Sequence, residues 1–323
     1  IGFSGTPDGS EILTVVPVDN GIYDGAGNEA STSQSNNTAT MNDQLAPTVS
    51  SVSATTSDGN YNTGDVIAIT VTFSENVTVS GTPQLTLETG STDAVVDFTS
   101  VSGATLTFNY TVASGHLNTD LDYTSTSSLA LNSGTIQDAA TNNATLTLPA
   151  LGASGSLAVN KALVSDGVLP IISSVSLAAN NSTIAVTMSE AVYNTTSGSG
   201  SLEMADFALS ISGGQATISS TPSSISASGN VYTLGLSLNG TPNGSEVLTV
   251  VPVDDGIYDV AGNEASTSQS NNTATMTDGF PPTISSLSLA ADNSTIAVTM
   301  SEAVFSTNGG SGALAANDFT LSL

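Results

Sequence analysis

Cysteine and tryptophan are absent from this 323-residue sequence, lysine and arginine together number one, and histidine occurs once. Without cysteine there is no disulfide framework, no thiol chemistry and no thiolate metal site, so packing or metal must stabilise the fold. The one basic residue, Lys161, stands against 28 acidic ones, for a formal net charge of −27. Polyanions and anionic bilayer surfaces are repelled at long range, so nucleic acid and membrane insertion are not expected. No apolar run approaches about 18 residues and no basic-then-apolar leader opens the chain, so neither a membrane span nor a signal peptide is expected within these residues. Any export signal is expected outside this window. A helical period is missing too.

What is present is alternation and repetition. Apolar residues recur with period two at Ile184, Val186 and Met188, at Phe207, Leu209 and Ile211, and at Leu234, Leu236 and Leu238. The same holds for Ile67, Ile69, Val71 and Phe73, for Leu85 and Leu87, and for Leu106, Phe108, Tyr110 and Val112. Such runs, separated by Gly, Asn, Asp and Ser turns, predict half-buried strands. Residues 5–43 match residues 240–278 at 34 of 39 positions, differing only at positions 8, 12, 20, 25 and 42. Prolines at 47, 170 and 282 open new alternating segments, and each follows an ending of the type Asp-x-Ala-Gly-Asn, degenerate as Asp138-Ala-Ala-Thr-Asn142 in the middle one.

These landmarks divide the chain into the C-terminal part of one module (1–45), complete modules at 46–168 and 169–280, and the N-terminal part of another (281–323). A window on a longer repeat protein is the expectation, with head-to-tail completion between chains as the alternative. Modules of this size with about seven short strands predict an all-β fold of tandem immunoglobulin-like antiparallel β-sandwiches in an elongated array. Ile172-Ser-Ser-Val-Ser, the run Ile184 to Met188 with Ser189-Glu190, and Ile257-Tyr-Asp-Val-Ala-Gly-Asn263 resemble the bacterial immunoglobulin-like repeats of giant cell-surface adhesins, including cyanobacterial surface proteins of swimming motility. The first full module departs from this pattern, with Thr141 where the other copies have Gly, and with its own Gly81-Thr-Pro-Gln-Leu-Thr-Leu87 segment.

Catalytic constellations are poorly supported. His116 lies in a turn-like Ser-Gly-His-Leu-Asn segment of one module and reads as a solvated loop histidine. Lys161, suited in principle to an internal isopeptide bond, is unrepeated and reads as a surface lysine. The carboxylate pairs Asp254/Asp255, Asp120/Asp122 and Glu203/Asp206 suggest glycosidase chemistry only weakly, because an active site copied between modules without a tryptophan platform is unlike such enzymes. No enzyme activity is expected.

Calcium is the sharper expectation. In a sandwich of this topology the incoming linker, the end of the second strand and the loop before the last strand meet at one pole. Asp166, Glu190, Asp259 and Asn263 hold those places in one module. Asp43, Glu75, Asp138 and Asn142 hold them in another, Asp278 and Glu302 begin a further set, and Asp24 and Asn28 belong to the first tail. Convergent carboxylates without cations repel, and hard oxygen ligands of mixed type suit calcium. The alternative is that Asp and Asn merely brace their own turn.

The resemblance implies an extracellular structural or adhesin repeat region, at the cell surface or secreted, that spaces or displays a binding tip for cell adhesion. Its partners would be neighbouring modules of the same longer chain, with surface glycans or other cells engaged by regions outside these residues. A subunit or stalk of a self-assembling filament or surface layer is the second expectation, and a carbohydrate-binding module the third.

Overall fold

Runs rich in valine, isoleucine and threonine between turn residues favour pleated backbone, and in the computed structural model, which describes residue 2 and residues 4–322, the regular structure is almost wholly short strands joined by turns and loops. The chain divides into two units. One contains the residues up to Pro170 with Val192–Gly200 and Tyr258–Ala265; the other contains Ile171–Ala191, Ser201–Ile257 and the residues from Ser266 onward.

The first unit opens with β1 (Ile12–Thr14), β2 (Thr38–Thr40), β3 (Val49–Ala54), β4 (Gly59–Tyr61), β5 (Val66–Phe73), β6 (Thr78–Ser80) and β7 (Gln84–Leu87). It continues with β8 (Ala94–Ser102), β9 (Thr105–Thr111), β10 (Leu117–Asn118), β11 (Leu129–Ala130), β12 (Thr135–Gln137), a single helical turn α1 (Leu157–Asn160) and β13 (Leu163–Asp166). The main sheet runs β11-β7-β8-β9-β5-β3, and smaller sheets are β10-β13-β4, β12-β6 and β1-β2. β8 is the hinge of the sandwich: Ala94–Asp97 pair with β7, and beyond an irregularity at Phe98/Ser100 the strand pairs with β9. A strand that changes partners at a bulge lets one continuous ladder turn a corner and fold over a core.

That core is read from register. Ile67, Ile69 and Val71 on β5 lie opposite Tyr110, Phe108 and Leu106 on β9, and all six are buried. Leu85, Leu87, Tyr123, Ile136 and Leu148 complete the same cluster, and Phe98 meets Phe108 edge-on with ring centroids 6.3 Å apart. At about 25 cal/mol per Å² of apolar surface, burial of this set is the main term opposing chain entropy.

The second unit contains β14 (Ile172–Leu177), β15 (Thr183–Met188), β16 (Phe207–Ser212), β17 (Thr217–Ile218), β18 (Ile225–Ser228) and β19 (Val231–Gly235). β20 (Leu238–Asn239), β21 (Val247–Pro252), β22 (Thr273–Thr275), β23 (Ile284–Leu289) and β24 (Ile296–Met300) follow. Sheets β14-β15-β19-β18 and β16-β21-β22 bury Ile184, Val186, Met188 and Leu234 from one side and Phe207, Leu209, Leu248 and Val250 from the other. Phe207 of β16 and Tyr232 of β19 touch between the layers, with ring centroids 6.0 Å apart. The all-β sandwich is therefore present as expected.

Three readings of the sequence change. The strand expected across Leu234, Leu236 and Leu238 is broken, because β19 ends at Gly235 and Leu236 lies beyond it, half-buried. Lys161 is no free surface lysine: its Nζ donates to the Thr56 carbonyl at 3.0 Å and lies 3.9 Å from Asp58 Oδ1. His116 is half-buried, stacked on Tyr110 with its Nδ1 2.9 Å from the phenolic oxygen.

Candidate metal centre

The loop Asp-x-Ala-x-Asn folds on itself in each of its three copies. Oδ1 of Asp24, Asp138 and Asp259 accepts the backbone N–H of Asn28, Asn142 and Asn263 at 2.8, 2.8 and 2.9 Å. In each copy the other carboxylate oxygen accepts the asparagine Nδ2 at 2.8 Å. The turn needs a left-handed residue just before the asparagine: Gly27 at φ 87°, Gly262 at φ 92° and, in the middle copy, Thr141 at φ 74°. A β-branched residue there is strained, so the departure noted in the sequence preserves the backbone shape at an energetic cost.

This bracing leaves the carboxylates with lone pairs to spare. In the first unit Asp43, Glu75 and Asp138 each place one carboxylate oxygen within 4.8 Å of the others. They come from three distant parts of the chain: the segment before Pro47, the turn after β5, and the loop after β12. Asp43 is fixed by Leu45, whose N–H donates to Oδ1 at 2.9 Å, while the Asn142 amide donates to the Asp43 carbonyl at 3.3 Å. The asparagine thus staples loop to linker through its nitrogen.

Electrostatics agree with convergence. Burial, followed by the charges of Asp43, Asp138 and Asp8, pushes the Glu75 carboxyl above its ordinary value. Asp8 was not among the expected ligands. Its signal was available in the sequence, since position 8 is one of the five at which the 39-residue copies differ, yet only the fold brings it to Glu75. Donors of oxygen type alone, with no histidine, fit a hard cation, and the cluster could hold a metal ion.

The other expected ligands are distributed as follows. Asp166 and Asp259 lie in the first unit, buried, with Asn263 Nδ2 donating to the Asp166 carbonyl at 2.8 Å and Asn263 Oδ1 accepting the Thr63 N–H at 3.2 Å. Burial pushes the Asp166 carboxyl up, the Val168 N–H pulls it down, and the Asp259 charge pushes it up again. Glu190 belongs to the second unit. Asp278 and Glu302 line one open groove of that second unit, of about 350 Å³, with Asn243, Thr283 and Ser301. Asp24 and Asn28 are exposed and brace only their own turn.

The carboxylate pairs considered for glycosidase chemistry serve as local caps. Asp122 accepts the N–H of Tyr123 at 2.9 Å and those of Ala158 and Leu157, while Asp206 Oδ2 accepts the Glu203 N–H at 2.7 Å to close a 3-10 turn. Asp255 occupies a left-handed turn position at φ 57° beside Asp254.

No protein-family model matches this chain, and no curated protein matches it in sequence.

Proposed function

We propose that this chain is a repeat segment of an extracellular adhesin-type protein, in which calcium bound at module joints stiffens an array of immunoglobulin-like sandwiches that spaces or displays a binding tip. The carrying observation is the meeting of Asp43, Glu75 and Asp138 within 4.8 Å, in a chain whose one lysine is engaged elsewhere, with Thr56 and Asp58. Three carboxylates with no protein cation to offset them favour a bound divalent ion. Calcium is preferred over magnesium because surface loops tolerate its longer and more variable oxygen contacts, whereas magnesium demands near-octahedral geometry.

The metal would tie the segment before Pro47 to the sandwich that follows it, without filling a core. Removing it leaves the sandwiches folded and frees the linker. Calorimetric titration with calcium, paired with solution scattering in calcium and then in chelator, tests this directly. Heat of binding that Glu75→Gln abolishes, together with a maximum dimension that changes on chelation, is the expected result. Absence of calcium-specific heat, or identical scattering in both buffers, overturns the reading and returns these residues to turn chemistry.

A further inference from the structure

The two near-identical 39-residue segments differ at position 8, where one carries Asp8-Gly9-Ser10 and the other Asn243-Gly244-Ser245. Both sequences fold into the same turn. Asn243 Oδ1 accepts the Ser245 N–H at 3.0 Å and the Ser245 hydroxyl, as Asp8 Oδ1 accepts the Ser10 N–H at 2.9 Å and the Ser10 hydroxyl. The following glycines match as well, with Gly244 at φ 80° and Gly9 at φ 82°. A Cβ on Gly244 would lie 3.3 Å from the Asp278 Cβ, and one on Gly9 would lie 3.1 Å from the Asp43 Cβ. The Asn243 turn therefore approaches Asp278 as the Asp8 turn approaches Asp43.

We propose that Asn243 is a self-deamidation site whose product supplies, beside Asp278 and Glu302, the carboxylate that the first copy encodes as Asp8. The Gly244 amide nitrogen, having lost its proton to solvent hydroxide, attacks Cγ of Asn243. The Cγ–Nδ2 bond breaks, ammonia leaves, and a succinimide forms, which water opens to aspartate or isoaspartate. Negative charge develops on Oδ1 during the attack, and the two Ser245 donors already point at that oxygen. Asn243 is exposed, so hydroxide and water reach it, and Gly244 places no side chain beside the attacking nitrogen.

Of the three other Asn-Gly pairs, at 20, 239 and 308, the first two give internal references. At Asn20-Gly21 the attacking nitrogen is engaged, because the Gly21 N–H donates to the Val18 carbonyl at 2.9 Å. Asn239 is held in β20, paired with Thr217 of β17. Neither has the pair of donors that faces Asn243 Oδ1.

A gain of charge at 243 matters because of where it falls. Asn243, Asp278 and Glu302 line one groove, and in the first unit the Asp8 charge already bears on Glu75. Deamidation would convert a groove with two carboxylates into one with three, after synthesis and without an enzyme.

The test is incubation of the whole chain at mildly alkaline pH, followed by mass spectrometry of peptides from glutamate-specific cleavage after denaturation. Asn243 is expected to deamidate about tenfold faster than Asn20 and Asn239, and Ser245→Ala to remove most of that advantage. Equal rates at the three sites, or an unchanged rate in Ser245→Ala, overturn the proposal. Asn243→Asp is expected to keep the parent melting temperature, since Asp8 occupies the same turn; a clearly lower one would also count against it, because the fold would then reject the product.

Discussion

Glu75→Gln should change sign with calcium. Carboxylate oxygens within 4.8 Å of one another repel by about 1 kcal/mol per pair at the dielectric constant of water, and less in salt. Glu75 takes part in two such pairs, so in chelator its neutralisation should stabilise the first unit by up to roughly 2 kcal/mol. The pH dependence has the same origin. The Glu75 carboxyl is raised above 4.5 by burial and then by Asp43, Asp138 and Asp8, so the folded state prefers it neutral. That preference contributes stability below pH 4.5, and the contribution is lost as pH rises through the raised folded value. Calcium reverses the balance: at about 100 times its dissociation constant it would stabilise the bound state by about 2.7 kcal/mol, which Gln, as a neutral and weaker ligand, forfeits in large part. Thermal melts of parent and variant, with calcium and with chelator, read both arms, at about 2–4 °C for each kcal/mol in a unit of this size. A variant that moves the transition in the same direction in both buffers refutes the shared cation site.

Thr141→Gly should stabilise the first unit by about 1 kcal/mol, because it relieves a β-branched residue at φ 74° where the sister loops use glycine; denaturant titration measures it, and a loss would mean the threonine side chain contributes more than its backbone costs. Phe207→Ala should cost about 3–5 kcal/mol, since the ring is 1% exposed and touches Tyr232, whereas Phe319→Ala, the corresponding half-buried position 112 residues on, should cost far less. The Glu246 carboxyl should mark the acid limit of the second unit. Burial pushes it up, but the N–H groups of Ala216, Gln215 and Asn243 outweigh this and hold it at about 2. Its contribution is present above its unfolded value of 4.5 and is lost as pH falls through about 2. Glu246→Gln should therefore melt lower than the parent at neutral pH and converge with it near pH 2; a constant difference across that range would contradict the assignment.

Period-two alternation was sufficient to place most strands and most of the core. Ile67, Ile69 and Val71 could be assigned to one face because successive side chains on a strand point oppositely. The braced Asp-x-x-x-Asn loops were equally local, since the carboxylate reaches its own asparagine within five residues. What local pattern does not contain is which distant segments meet. Asp43, Glu75 and Asp138 come together in the structure, but no local pattern shows that the Asp8 charge bears on Glu75 or that Lys161 reaches Thr56 across more than a hundred residues.

The duplicated segment makes the division plain. Residues 5–43 and 240–278 are nearly the same sequence, yet Leu248, Val250, Ile257 and Met276 are buried, while Leu13 and Met41 are half-buried and Val15 and Ile22 exposed. β21 runs for six residues and β1 for three. The turns, caps and side-chain alternation are identical because short-range sterics and hydrogen bonds set them. Burial and strand length differ because β21 lies between β16 and β22, whereas β1 pairs only with β2. Sequence therefore determined which faces are apolar and how the chain turns, and tertiary structure decided which of those faces are covered, because burial is a property of the neighbour as much as of the residue.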